Sequence, residues 1–195
     1  AARVDEVVVL ADRIAPEALP ENCRAKSFAA PSQAERGARC LAALAAELPR
    51  RPVAVVAHMV PVYALIAAPL ARPLRVPLLL WFTQQGSGPL LNAAARVVDA
   101  ILTVDVRSVP LRSPKVRAIG HGIDITQFPC RPQPANDALR VLALGRTSPA
   151  KGLEAVVAGV RLAQERNVAV ELEIRGPSET NEERAHRARL VELGA

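Results

Sequence analysis

Short apolar runs alternate with helical periodicities along the whole chain. Residues 6–10 read as a strand, followed by a loop rich in proline and charge, Ala15-Pro-Glu-Ala-Leu-Pro-Glu-Asn22. Ser32 and Glu35 form a capping box after Pro31, and Ala38, Leu41, Ala42, Ala45 and Leu48 then share one side of a helix over 34–48. Strands are predicted at 53–57, 78–82, 100–104 and 116–119, and helices at 62–68 and 90–98. The strand runs are apolar throughout, which predicts a parallel sheet covered on both faces. The fold class is therefore α/β.

The pattern breaks between Gly120 and Asp137, a stretch with Pro129, Pro132 and Pro134 and no periodicity, and a domain boundary is placed there. A second α/β unit follows: strand 139–144, helix 150–165, strand 168–174 and a charged helix over 181–193. In that last helix Glu182 with His186, and Glu183 with Arg187, have the i, i+4 spacing that supports an exposed face.

Chemistry concentrates where the second unit begins. Leu139, Val141 and Leu144 lead to Gly145, where a backbone can approach a ligand closely, and Arg146 follows. Ser148 is a suitable N-cap, Pro149 suits a first helical position, and Leu153, Val156, Val157 and Val160 mark one helix face. A helix N-terminus favours an anion through its free N–H groups and dipole. Arg146 adds a fork able to grip a phosphate twice, and Lys151 adds a point charge in a first turn that by itself disfavours cations. Gly145, Arg146 and Lys151 are thus candidates to hold a diphosphate.

Gly145-Arg146 followed by Lys151-Gly152, preceded by His121-Gly-Ile-Asp124 and Phe128, resembles the junction and donor-diphosphate site of the retaining GT-B glycosyltransferases of the large group-one, family-four-like type. His121 stands where that family usually has asparagine. Order and spacing fit from about Lys115 to Arg166, with a weaker fit upstream through Val53. The resemblance implies two Rossmann-like parallel-sheet domains: residues 1–120 as an acceptor-side domain lacking its start, 121–138 as linker, and 139–195 as the beginning of a nucleotide-sugar-binding domain. The family's paired glutamates and its glycine-rich loop after the first strand are not found here. His58-Met-Val-Pro61 resembles the family's strand-end histidine, which implies a catalytic His58 reaching the donor sugar, although Met59-Val60 replaces the usual acidic neighbour. Ligands of open parallel sheets sit beyond the carboxyl ends of strands, which agrees with that placement. Gln84, Gln85 and His121 are candidates to line an acceptor cleft. Asp124 is read as a linker cap, and Asp99 and Asp105 as structural.

Composition narrows the field. A two-domain GT-B enzyme is about twice as long on the usual domain size, so these 195 residues are expected to be part of one. With 50% hydrophobic and 23% charged residues the chain is globular, and with only 3% aromatics its core must be alanine, valine and leucine. The net charge of +6 and pI near 10.0 invite a nucleic-acid reading. Against it, the cations (Arg50, Arg51, Arg72, Arg75, Arg107, Arg112, Lys115, Arg117) are scattered with no aromatic interleaving. Apart from Lys26, Lys115 and Lys151 every basic residue is arginine, which with the alanine richness reads as a GC-rich coding bias and weakens any argument from arginine count; a bacterial source is the expectation. A basic face could instead meet an anionic membrane or an anionic sugar donor.

Cys23, Cys40 and Cys130 are odd in number with no C-x-x-C pair, so neither a disulfide framework nor zinc is expected, and a reducing, cytoplasmic setting is. The longest apolar stretch, 60–71, is broken by Pro61 and Pro69 and falls short of the roughly 18 residues of a spanning helix. The opening Ala1-Ala-Arg-Val has neither an initiator methionine nor a signal-peptide pattern and reads as a chain entered partway.

The expected function is transfer of a sugar, with retention, from a nucleotide-diphosphate sugar to a lipid-linked sugar, polysaccharide or small-molecule acceptor, as in polysaccharide or glycolipid synthesis. Arg146 and Lys151 would neutralise the leaving diphosphate, so no metal and no further cofactor is expected; no Asp-x-Asp cluster is present. The alternatives are a non-catalytic nucleotide- or phosphosugar-binding fragment and a sugar-nucleotide epimerase. A dehydrogenase is disfavoured because no strand is followed by G-x-G-x-x-G.

Overall fold

A computed structural model describes residues 4–84, 86, 88–123, 125–130 and 137–194. Gln85 and Asp124, both singled out above, lie outside the described residues. The chain divides into two compact units, Ala1–Asp124 and Ile125–Ala195.

The first unit contains β1 (Val7–Ala11), β2 (Cys23–Ser27), α1 (Gln33–Glu47), β3 (Val55–His58), α2 (Pro61–Ala71), β4 (Leu78–Trp81), α3 (Pro89–Val97), β5 (Ala100–Thr103) and β6 (Val116–Ala118). β3, β4, β5 and β6 form a parallel sheet in chain order, and β1 pairs with β2, also in parallel. The core is aliphatic, as the scarcity of aromatics requires. Ala64, Ala67, Ala68 and Ala71 of α2 are buried, and such small side chains let the helix lie close on β3 and β4, whose Leu78 and Leu80 are fully enclosed. Pro69 removes one helical N–H without ending α2, which runs to Ala71 rather than 68; the Arg72 N–H closes the end on the Ala68 carbonyl at 3.1 Å. Lys115 is no free surface cation: its Nζ donates to the Ala95, Arg96 and Val98 carbonyls at the C-terminus of α3, where the helix dipole favours it.

β2 was not legible as a strand because Cys23-Arg-Ala-Lys-Ser27 has no apolar run. Its Arg24 and Lys26 instead reach Glu47 at the end of α1, at 3.0 and 2.5 Å, and Arg50 approaches the same buried carboxylate at 3.2 Å. Hydrogen bonds from Arg24 first, then Lys26, hold the Glu47 carboxyl down to about 2. The predicted N-cap at Ser32 forms, its Oγ accepting from the Glu35 N–H at 3.1 Å, but the Glu35 carboxylate turns to Arg39 and leaves the box half made.

The second unit contains β7 (Leu139–Leu144), α4 (Leu153–Glu165), β8 (Val170–Arg175) and α5 (Asn181–Gly194). β7 and β8 are parallel and in register from Leu139 with Val170 to Leu144 with Arg175. Val141, Ala143, Leu172 and Ile174 lie toward the helices, where Leu153, Val157 and Leu190 close a small core. Coverage on both faces holds for β4 and β5 but not here: Leu142 and Leu144 are 58% and 79% exposed. The strict alternation of β8, Val-Glu-Leu-Glu-Ile-Arg, is that of a strand with one wet face. No helix among the described residues is long and apolar enough to cross a membrane.

Candidate functional site

In the first unit the carboxyl ends of β3 and β4 carry His58 and Trp81, which are register partners. Their rings are parallel within 2° at a centroid distance of 6.5 Å, and His121 tilts onto Trp81 at 5.7 Å. His58 and His121 are therefore gathered around one indole, and both are exposed. Met59, next to His58, holds a left-handed φ of 63°, fixed by its N–H donating to the Trp81 carbonyl at 2.8 Å. Strained backbone of this sort concentrates at ligand-handling sites. Gln84 is exposed in the loop after β4. Asp99 accepts from the Leu78 N–H at 2.7 Å and Asp105 holds its own turn with Arg107, both structural roles. Trp81 closes the apolar run of β4, and nothing in that run separates an aromatic that meets histidines from one that packs in a core.

In the second unit the carboxyl ends of β7 and β8 meet through glycines. A Cβ on Gly176 would lie 1.8 Å from the Gly145 oxygen, so only glycine permits this approach, and the Gly145 N–H donates to the Arg175 carbonyl at 2.9 Å. Arg146 emerges from this junction half-exposed, and the Lys151 side chain lies over Gly145, its Cε 3.9 Å from where a Cβ would stand. Gly145, Arg146 and Lys151 thus share one turn.

The helix does not begin where the sequence suggested. Pro149–Lys151 form a separate 3-10 turn, Ser148 makes no side-chain cap, and Gly152 takes a φ of 62° before α4 starts at Leu153. Lys151 therefore precedes the α-helix instead of opposing its dipole. The residue in the first turn is Glu154, whose carboxyl is lowered by a hydrogen bond from its own backbone N–H and then by His186.

Beneath the turn lies a buried polar network that the exposed-face reading of residues 181–193 missed. Glu183 and His186 are 4% and 0% exposed, so this face of α5 points inward. Thr147, 3% exposed, has its hydroxyl 2.6 Å from the Ser178 hydroxyl and donating to the Glu183 carbonyl at 3.2 Å. His186 bridges the Thr147 carbonyl, at 2.7 Å from Nδ1, to the Glu154 carboxylate at Nε2. Glu183 and Thr180 form a complete capping box: the Glu183 N–H donates to Thr180 Oγ1 at 3.1 Å, and the carboxylate accepts from the Thr180 and Glu179 N–H groups. The other Glu183 oxygen lies 3.5 Å from Arg146, and Glu179 lies 3.6 Å from the same guanidinium. The hydrogen bond from the Glu179 N–H, foremost, keeps the Glu183 carboxyl below its usual value. The Thr180-x-x-Glu183 spacing was the available signal for this cap. No group of acidic, histidine or cysteine residues suited to a metal occurs among the described residues.

The chain matches no family profile and no curated protein. Its fold is nevertheless known. The UDP-GlcNAc 2-epimerase from Methanocaldococcus jannaschii superposes with a TM-score of 0.53 at 11% identity, over 89% of this chain and 56% of that one. The lipopolysaccharide outer core galactosyltransferase WaaB, in its apo form, gives 0.53 at 14% identity, over 89% and 51%. The chain has a Rossmann-like fold of the GT-B type. It spans about half the length of these two structures. One is an epimerase and the other a glycosyltransferase, so the likeness establishes the fold and leaves the reaction to be argued from the residues.

Proposed function

We propose that the chain belongs to a retaining glycosyltransferase that uses a nucleotide-diphosphate sugar, with Arg146 and Lys151 holding the diphosphate at the Gly145 turn and His58 acting on the transferred sugar. The observation that carries this reading is the turn itself. Two cations leave one glycine junction at the carboxyl ends of β7 and β8, the edge at which open parallel sheets take ligands. As the bond from the sugar carbon to the diphosphate oxygen breaks, its electron pair stays on the diphosphate. Arg146 and Lys151 stabilise that added charge more than they stabilise the intact donor. The acceptor oxygen forms the new bond at the same carbon, and its proton leaves to solvent or to the departing diphosphate. The aromatic group of His58, Trp81 and His121, with Gln84 of the following loop and its sequence neighbour Gln85, is assigned to sugar hydroxyls and acceptor. The +6 net charge supports an anionic partner and is compatible with a membrane-surface acceptor in the cytoplasm.

Calorimetric titration with UDP, GDP and ADP tests the assignment. Binding that Arg146→Ala and Lys151→Ala each weaken, and that needs no divalent ion, is expected; binding indifferent to both variants overturns it. Because one structural neighbour is an epimerase, the same protein is incubated with the matching nucleotide sugars and the products are resolved. Sugar transferred to water or acceptor supports the transferase, whereas an inverted C2 centre on an intact donor assigns the epimerase.

A further inference from the structure

The buried histidine of α5 lies outside the chemistry proposed above, yet it touches the turn on which that chemistry depends. Both of its ring nitrogens face acceptors. The Thr147 carbonyl oxygen, 2.7 Å from Nδ1, has no proton to give, and the Glu154 carboxylate at Nε2, held ionised at the start of α4, has none either. A neutral imidazole donates from one nitrogen only, so one of the two contacts would set lone pair against lone pair. Only the imidazolium satisfies both. The side chain is wholly buried, so water cannot replace the lost bond.

We propose that His186 is a positioning residue for the diphosphate turn, seating Thr147, and with it Arg146 and Lys151, only while both of its ring nitrogens carry protons. This rests on the assignment of Arg146 and Lys151 to a diphosphate and adds to it a dependence on pH. The groups facing His186 are the Thr147 carbonyl from the β7–α4 connection, Glu154 from α4, and Arg189 from its own helix. The neighbouring core of Leu153, Val157 and Leu190, with Ala143, Leu172 and Ile174 of the sheet packed against it, is apolar. The hydrogen bond to Thr147, then that to Glu154, raises the histidine above its ordinary 6.5, with burial and, less strongly, Arg189 opposing. Glu183, one helical turn back, faces Arg146 rather than the ring. Four ties therefore hold Thr147: His186 grips its carbonyl, the Glu183 carbonyl accepts from its hydroxyl, that hydroxyl also meets the Ser178 hydroxyl, and its N–H donates to the Pro177 carbonyl. With one proton left, the ring gives it to the charged Glu154 carboxylate, so the Thr147 carbonyl loses its donor while the other ties remain.

The experiment measures the affinity of the tightest-binding of UDP, GDP and ADP from pH 5.5 to 8.5 for wild type, Glu154→Gln, His186→Gln and Arg161→Ala. In wild type Kd is expected to rise above the His186 pKa, by up to about ten-fold per pH unit, as the competent fraction falls. Glu154→Gln presents an amide N–H to Nε2, so a neutral ring donating to Thr147 satisfies every contact and the pH dependence should disappear. Titration of the ligand's own phosphate is common to both proteins and cancels in the comparison. Arg161, bonded to the Leu193 carbonyl and away from the turn, should give wild-type behaviour on substitution. An identical pH profile in wild type and Glu154→Gln overturns the proposal. Proton NMR of the ligand-free chain provides a readout that needs no binding. One of the three histidines, absent from spectra of His186→Gln, should titrate above 6.5, and the Thr147 amide should shift with it. A His186 that titrates at or below 6.5 overturns the proposal even if His186→Gln fails to fold. Failure of Arg146→Ala to affect affinity, with the histidine and Thr147 titrating together, refutes the diphosphate assignment alone.

Discussion

Lys151 is the side chain on which the functional reading is most exposed to test. Its stem lies over Gly145, it is exposed, and its ammonium has no hydrogen bond or ion pair among the described residues, so truncation removes a charge without opening a core. Lys151→Ala is expected to weaken nucleoside-diphosphate binding by about 1.5–3 kcal/mol, the usual worth of a charged hydrogen bond, while Arg161→Ala leaves it unchanged; calorimetry reads both. Lys151→Arg should recover little, because a planar guanidinium replaces a compact ammonium poorly. Gly176 offers the opposite kind of test, one of stability alone. Its φ of 154° and the 1.8 Å approach of the Gly145 oxygen leave no room for a methyl group. Gly176→Ala should cost roughly 3 kcal/mol or more in chemical denaturation. An alanine tolerated within about 0.5 kcal/mol would disprove the glycine junction.

At the scale of elements, the half-made box at Ser32 and the complete one at Thr180 make a contrast. Ser32 caps α1 with one bond, and Ser32→Ala should lower stability by about 1 kcal/mol and leave ligand affinity unaffected. Thr180 caps α5 while Glu183, oriented by the same box, faces Arg146. Thr180→Ala should therefore lower both the thermal midpoint and the affinity for nucleoside diphosphate. If the affinity stayed at the wild-type value, the box would serve the helix only. These caps also show how far a pattern carries. Ser32 was legible because an apolar periodicity followed it, whereas Thr180 was passed over because α5 buries a glutamate, a histidine and a single leucine.

At the scale of the molecule, the two units answer pH in different directions. Glu47 in the first unit is lowered to about 2 from 4.5, so its contribution is present above pH 4.5 and fades as pH falls toward 2. His186 in the second is raised above 6.5, so its contribution is complete below 6.5 and fades as pH rises through the higher folded value. Trp81 is the single tryptophan and lies in the first unit, so its fluorescence reports that unit while far-ultraviolet circular dichroism reports both. Between pH 6 and 8.5 a component of the dichroism melt should move to lower temperature while the Trp81 transition stays in place. In His186→Gln that component should no longer move. If both probes shifted together in wild type, the independence of the two units in this pH range would be refuted. Below pH 4.5 the Trp81 transition should fall, and Glu47→Gln should flatten that fall.

What the sequence determined by itself is what depends on neighbours along the chain. Apolar runs and helical periods placed most of the strands and helices within a few residues, and the alternation of the two settled a parallel α/β fold. The Gly145-Arg146 turn with its lysine was legible for the same reason, since a strand end, a glycine and two cations lie within a few positions. Tertiary structure alone decided what polar residues do when they face inward. Arg24 and Lys26 form a strand because Glu47 waits at the end of a distant helix, and Trp81 gathers one histidine from a neighbouring strand end and another from beyond β6. Glu183 and His186 have the spacing of a solvated face, yet they are buried because Arg146, Thr147 and Glu154 supply the charges and hydrogen bonds that make burial tolerable. Hydrophobic patterning reports which side chains avoid water. It is silent about polar groups whose partners are brought to them only by the fold.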